Sequence, residues 1–390
     1  MNNSPTHADL TRTGLLEKAD RIRLLAQSTA PDNERAGRLA AELVEALRES
    51  GLMRCAAPAE LGAAQAPPAV SLECAETIAR GDAAAGWCVA IALVTSLLGA
   101  YLPPKGAAEI LGDHSSVPAG VWAPRGTARR VDGGVVVSGR WSFCSGITHA
   151  DHFFGGCLLN DGGSGGPGAP TMRIVGIPTD QVRILETWHT SGLRATGSHD
   201  VVAEDVFVPE HRILSMVDGP LIDAPLYRFP VFGHFALGVA AATLGNARGA
   251  IDDLCELAGR KVGFGADRTL AEKSATQTVV AQAEAALRAA RAFFYSAVDD
   301  AWRAANAGGE VSLDLRTGLR LAATHAARTS ADVVRSMFDL GGGSAIYDDS
   351  PLQRRFRDAT TATAHIQVSP ATWETAGRAL LGLPTDVSRL

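Results

Sequence analysis

The chain has 390 residues, 46% of them hydrophobic and 20% charged, with a formal net charge of -6. That length exceeds one ordinary hydrophobic core and predicts two or three domains. The mild acidity excludes the basic stripe that a nucleic-acid partner needs, but not an anionic cofactor held by a few local arginines.

The N-terminal stretch "MNNSPTHADLTRTGLLEKAD" is polar and lacks the apolar core of a secretory signal. The most apolar window, Trp87 to Leu102, falls short of the roughly 20 residues that span a bilayer, so a buried helix is expected and no membrane contact. Cys55, Cys74, Cys88, Cys144, Cys157 and Cys255 are scattered without a CxxC pair. The reading is a cytoplasmic chain with neither a disulfide framework nor a metal centre.

Residues 1–116 read as an N-terminal helical domain. "GLLEKADRIRLLAQST" and "ERAGRLAAELVEALRESGLM" repeat apolar residues at three- and four-residue steps, which gives each helix one buried face. Gly51 is placed to end the second of them, and Pro103 and Pro104 to stop one helix and open another, "PKGAAEIL". Residues 117–230 change period and read as a central β domain, expected to be barrel-like. "RRVDGGVVVSGRWSF" carries a hairpin turn at Asp132-Gly133-Gly134. "TMRIVGIPTDQVRILE" and "HDVVAEDVFVPEHRIL" are strand-like. The glycine-rich "NDGGSGGPGAP" reads as a surface linker, with a functional loop as the alternative; the lysine that would end a phosphate-binding loop is absent. Residues 231–390 return to long amphipathic helices and predict a C-terminal four-helix bundle. The fold class is α+β.

Three motifs in order carry a family resemblance: "GRWSFCSG", then "TSGLRATGSHDVVAEDVFVPEHRI" ahead of the bundle, then "GGGSAIYDDSPLQRRFRD". Together they resemble the acyl-CoA dehydrogenase superfamily across nearly the whole chain. The resemblance implies a flavin wedged between the β domain and the bundle, completed by a neighbouring subunit of a homotetramer. Where the dehydrogenases carry a catalytic glutamate, "IYDDSP" leaves Asp349, one methylene shorter. "PLQRRFRDATTATAH" then places His365 as in the reduced-flavin-dependent monooxygenases, the oxygenase halves of two-component systems. That branch implies His365 near flavin and substrate, Ser145 at the flavin edge, and FMN or FAD supplied reduced by a partner flavin reductase. Many phenol-hydroxylating members also carry a histidine after a tryptophan in the first domain. Counting from Trp87, that position falls near Thr95, which leaves no imidazole there to activate a phenol.

The implied chemistry runs through a C4a-(hydro)peroxyflavin, for which the protein must orient the substrate, exclude water and donate hydrogen bonds near N5 and the distal oxygen. Ser145 can donate one such bond, and Gly146 lets backbone approach the ring; a plain turn is the other reading of this pair. His365 is expected on a helix whose opposite face carries Arg354, Arg355 and Arg357, and its imidazole can accept a substrate proton or steady the peroxide. His149 and His152 either line the pocket mouth or are structural. Trp122, Phe143 and Trp141 are flavin or substrate contacts, or else core. Trp188, Ser191, Arg194 and Thr196 match the segment under the ring, and Arg260 and Arg268 the positions that ground a flavin phosphate. Thr95, Phe143, His149 and Asp349 are the candidate substrate contacts.

No nicotinamide-binding GxGxxG follows an early strand, which fits an external reductase. The resulting expectation is an oxygenase component that hydroxylates a small aromatic or polycyclic substrate. Rival expectations are an N-oxygenase of an amine or amino sugar, an acyl-CoA dehydrogenase using Asp349, and a non-catalytic flavin-fold binding subunit.

Overall fold

The structure, a computed structural model, describes residues 10–160, 170–388 and 390. The glycine-rich stretch therefore lies mostly outside the described residues. The chain opens with α1 (Arg12–Ala36), whose Thr11 hydroxyl accepts from Gly14 N at 3.2 Å as its N-cap. The single helix expected from Glu34 onward is broken: α1 ends at Gly37, in the left-handed region at φ 64°, and α2 (Ala41–Ser50) begins afresh. Gly51 ends α2 at φ 70°, as its position predicts. Next come α3 (Pro68–Gly81), α4 (Ala83–Ser96) and α5 (Pro104–Leu111). Asp82 caps α4 by accepting from Ala84 N at 3.1 Å. Every residue of α4 is buried. Ala83–Ala100 is the one segment among the described residues long and apolar enough to cross a membrane, and it lies wholly inside the protein.

The central sheet has seven strands: β1 (Pro118–Val131), β2 (Gly134–Cys144), β3 (His152–Asn160), β4 (Thr171–Pro178), β5 (Arg183–Leu185), β6 (His199–Pro209) and β7 (Ile213–Leu214). Their order is β5-β6-β2-β1-β3-β4-β7. All neighbours are antiparallel except β1 and β3. The expected barrel is not formed. Closure needs the two terminal strands to pair, but β5 pairs only with β6 and β7 only with β4, so the sheet stays open. Edge strands of three and two residues leave little unpaired backbone to protect. The hairpin turn is where the sequence places it, with Gly133 at φ 75° between Val131 and its partner Gly134.

Trp141 settles as core. It is fully buried, donates from Nε1 to Gly156 O at 2.8 Å and meets Phe153 edge-on at 5.2 Å. A Cβ on Gly126 would sit 2.3 Å from its ring, so that glycine makes room for the indole. Trp141→Ala is expected to cost about 3–5 kcal/mol of stability by urea unfolding.

After α6 (Pro225–Arg228), the bundle consists of α7 (Val231–Arg260), α8 (Ser274–Asn306), α9 (Leu313–Gly341), α10 (Pro351–Ala362) and α11 (Ala371–Leu380). α9 packs on both α7 and α8, and α10 on α7 and α9, while α3 and α4 dock against α7 from the N-terminal side. One hydrophobic cluster joins the N-terminal helices to the sheet and a second fills the bundle. A smaller third cluster, with Trp87, Ile91, Leu193 and Val239, sits where all three segments meet. The polar links are as specific: Glu76 of α3 accepts from Arg291 and Tyr295 of α8, each at 2.6 Å.

Candidate functional site at the three-way junction

α4, the end of β2, the loop before β6, the start of α7 and the connection after α10 converge at that third cluster. Trp122 on β1 packs against Phe235 on α7 with ring centroids 5.3 Å apart. Phe235 lies 5.6 Å from the His365 ring, and His365 lies 5.4 Å from Trp87, edge to face. Trp87 donates from Nε1 to Ser145 Oγ at 3.0 Å. Chain segments more than 200 residues apart thus bring Ser145 and His365 into contact with one buried indole.

His365 is not on a helix, as the sequence suggests. α10 ends at Ala362, and His365 sits in extended conformation as N-cap of a short 3-10 turn, Ile366–Val368. Its Nδ1 accepts from Gln367 N at 3.3 Å, which places the proton of the neutral ring on Nε2. Burial, reinforced by the Arg320 guanidinium, pushes the imidazole down to about 4. The ring is therefore neutral through the physiological range and presents an N–H donor. Arg354 and Arg355 are buried, Arg355 pairing with Asp253 at 2.5 Å, and Arg357 pairs with Glu34 at 2.5 Å.

Ser145 lies just beyond β2, where Phe143 and Gly146 both take left-handed conformations, at φ 69° and 78°. For an aromatic residue this is a strained backbone, of the kind that clusters at functional sites. The twist leaves Phe143 72% exposed, its ring perpendicular to that of Trp188 with centroids 6.0 Å apart. The loop carrying Trp188 is locked from beneath. Asp358 on α10 accepts from Leu193 N at 2.6 Å, and Arg357 donates to Ser191 O at 2.7 Å. A Cβ on Gly192 would come within 2.2 Å of Arg357 O, so only glycine admits this close approach. Within the loop, Thr196 and Ser198 are buried and their hydroxyls lie 2.6 Å apart, with Ser198 2.8 Å from Ser145 Oγ.

An exposed, strained aromatic, a serine hydroxyl with spare acceptor capacity and an imidazole N–H fit a planar heteroaromatic cofactor. A flavin placed here would lie on Phe143 beside Ser145. No group of three or more His, Cys, Asp or Glu suited to a metal exists among the described residues.

The remaining candidates scatter. Ser191 and Arg194 are exposed on the same loop. Thr95 is buried two turns beyond Trp87, its hydroxyl turned back to Ile91 O at 2.8 Å. His149 lies near Gly146, whose added Cβ would stand 3.2 Å from His149 Nε2. Burial and Arg48 hold its imidazole down at about 4. It belongs to a surface groove of about 600 Å³ against α1 and α2 that Ser145 and His365 do not line. His152 is half-buried at the start of β3. Asp349 is exposed before α10, and that twelve-residue helix, about 18 Å long, separates it from the His365 end. Arg260 ends α7, about 37 Å along the axis from Phe235, where it faces Glu256; Arg268 is exposed beside Asp267. Neither Asp349, Arg260 nor Arg268 joins the site within one chain. Sequence reasoning missed Ser198, Phe235 and the donor role of Trp87. Only the small hydroxyls spaced two apart in "ATGSHD" hint at the first.

Fold and site together define an acyl-CoA dehydrogenase-like flavoenzyme. The family description "Acyl-CoA dehydrogenase, C-terminal domain" matches residues 237–370. The chain is 36% identical to indole-3-acetate monooxygenase from Pseudomonas putida, over 90% of this chain and 89% of that protein. Its fold superposes on the crystal structure of 3-HSA hydroxylase from Rhodococcus sp. RHA1 with TM-score 0.88 at 27% identity, covering 96% of this chain and 99% of that one. XiaF from Streptomyces sp., solved in complex with FADH2 and glycerol, matches with TM-score 0.89 at 25% identity, covering 96% of both chains. The chain belongs to the acyl-CoA dehydrogenase-like fold family, in its branch of two-component flavin-dependent monooxygenases, and is an oxygenase component.

Proposed function

We propose that this oxygenase inserts one oxygen atom from O2 into a small aromatic heterocycle, an indole carrying an acidic side chain being the first candidate. The support is the indole-3-acetate monooxygenase relative together with an aromatic-walled site of Trp87, Trp122 and Phe235. FADH2 or FMNH2 arrives from a separate flavin reductase and supplies the oxygen-activating chemistry when bound. Phe143 and Trp188 would flank the ring, and Ser145 and Gly146 would contact it. His365 would offer Nε2–H to a substrate or oxygen atom beside Trp87. Carbon oxygenation is preferred over attack on an amine, because the site offers aromatic walls and a neutral imidazole rather than a carboxylate to hold an ammonium group.

The single observation that carries this reading is the convergence of Ser145 and His365 on Trp87. With Asp349 a helix length from the His365 end, the dehydrogenase alternative loses the base it would use. Arg194, exposed on the loop under the ring, is a candidate phosphate contact. Arg260 and Arg268 reach a flavin only from a neighbouring subunit, as a homotetramer supplies. Ile366, Leu380 and Leu381, each more than 60% exposed on the α11 side, support such an interface. A cytoplasmic location fits the need for a reductase partner.

The test is turnover of indole-3-acetate, phenols and amines with photoreduced FMN or FAD and oxygen. Trp87→Phe, which deletes the donor to Ser145 but keeps an aromatic ring, is expected to weaken reduced-flavin affinity roughly 3- to 10-fold in anaerobic titration.

A further inference from the structure

Four side chains form a continuous hydrogen-bonded line: Trp87 Nε1 to Ser145 Oγ at 3.0 Å, Ser145 to Ser198 at 2.8 Å, Ser198 to Thr196 at 2.6 Å, and Thr196 Oγ1 to Leu193 O at 2.8 Å. Each hydroxyl has one hydrogen to give, so the line has only two consistent polarities. In the first, Thr196 donates to Leu193 O, Ser198 to Thr196 and Ser145 to Ser198. All three hydrogens then rest on protein acceptors. In the second, Thr196 donates to Ser198 and Ser198 to Ser145, which leaves the Ser145 hydrogen with no acceptor in the protein. Leu193 O also takes Trp188 Nε1 at 2.9 Å and Thr196 N at 3.2 Å, and the structure holds all three donors on this one carbonyl. The first polarity keeps one more hydrogen bond.

The open end of the line is Ser145, half-buried while Ser198 and Thr196 are buried. With its hydrogen committed to Ser198 and one lone pair taken by Trp87, Ser145 presents an acceptor. That reverses the donor role read from the sequence. Reduced flavin carries a hydrogen on N5, whereas oxidised flavin has a bare N5 lone pair. We infer that Thr196 and Ser198 are positioning residues that fix Ser145 as a hydrogen-bond acceptor, so that the site selects reduced flavin over oxidised flavin. The inference rests on the placement of the flavin edge at Ser145 proposed above. It gives a physical reason for an oxygenase that must take reduced flavin from solution and release it once oxidised.

Thr196→Val removes the acceptor at the inner end. Ser198 must then donate to Ser145, and Ser145 turns its own hydrogen outward, toward the N5 of oxidised flavin. Thr196→Ser keeps the line. The measurement is the dissociation constant of oxidised and of photoreduced FMN and FAD, taken anaerobically, with the midpoint potential of the bound flavin. The expected result is a roughly 3- to 10-fold fall in preference for the reduced form in Thr196→Val, the worth of one net hydrogen bond. Thr196→Ser should restore the native ratio, and Ser145→Ala should lose it. Equal weakening of both redox states in Thr196→Val, or an unchanged ratio, overturns the relay. If Ser145→Ala leaves the ratio at its native value, the flavin placement itself fails. Should Thr196→Val not fold, Ser198→Ala breaks the same line one link nearer the site, and the same two outcomes decide.

Discussion

Replacing His365 by alanine is expected to lower turnover by about 10²-fold or more, the usual contribution of a positioned proton donor or acceptor, with flavin affinity little changed. The ring meets Trp87 and Phe235 but makes no contact with Phe143 or Ser145, where the flavin is placed. Stopped-flow turnover beside equilibrium flavin titration separates the two effects. A protein in which both fall together would point to a packing role instead. The pH dependence follows from the imidazole held down at about 4 by burial and Arg320. A histidine whose folded value lies below its unfolded one stabilises the fold above the unfolded value near 6.5. That contribution is lost as pH falls through the window from about 6.5 to 4. Turnover should therefore show no inflection near 6.5 from this group. A bell whose acid limb sits there and disappears in His365→Gln would contradict the neutral-donor role.

The second large effect concerns Asp358, which holds the loop carrying Trp188 through Leu193 N. Burial pushes its carboxyl up to about 7; the amide bond and Arg354 oppose the shift, while Asp82 and Glu34 add to it. An acid with a raised folded value stabilises the fold while protonated, and that stability drains away as pH rises from about 4 to about 7. At 1.36 kcal/mol per unit the swing is on the order of 4 kcal/mol. Asp358→Asn keeps an oxygen for Leu193 N and cannot ionise. Its stability relative to the native chain should therefore rise between pH 4.5 and 7.5, measured by urea unfolding at several pH values. A difference that stays constant with pH would show that Asp358 is already ionised throughout.

Much of the architecture is legible in the sequence because period and punctuation are local. Gly51, Pro104 and the Asp132-Gly133 turn act where they stand. The errors come where tertiary contacts decide. Pro31 sits inside α1 while Gly37 ends it, inside the stretch read as one helix from Glu34. The sheet stays open because its edge strands β5 and β7, of three and two residues, do not pair with each other, and pairing does not show in an alternating pattern. At the site, Ser145 and His365 were nameable only through family resemblance. The path between them was not, because Trp87 reads as one more apolar residue in α4. Arg260, Arg268 and Asp349 occupy plausible family positions, yet one chain holds them apart from the pocket.

The most direct test of the central claim is mass spectrometry of product formed from 18O2, photoreduced FAD or FMN and indole-3-acetate or a phenol, with no nicotinamide present. The account predicts product carrying one labelled oxygen, formed by the native chain and sharply reduced in His365→Ala. Unlabelled substrate recovered in every case, together with bleaching of the oxidised flavin complex by an acyl-CoA, would contradict it.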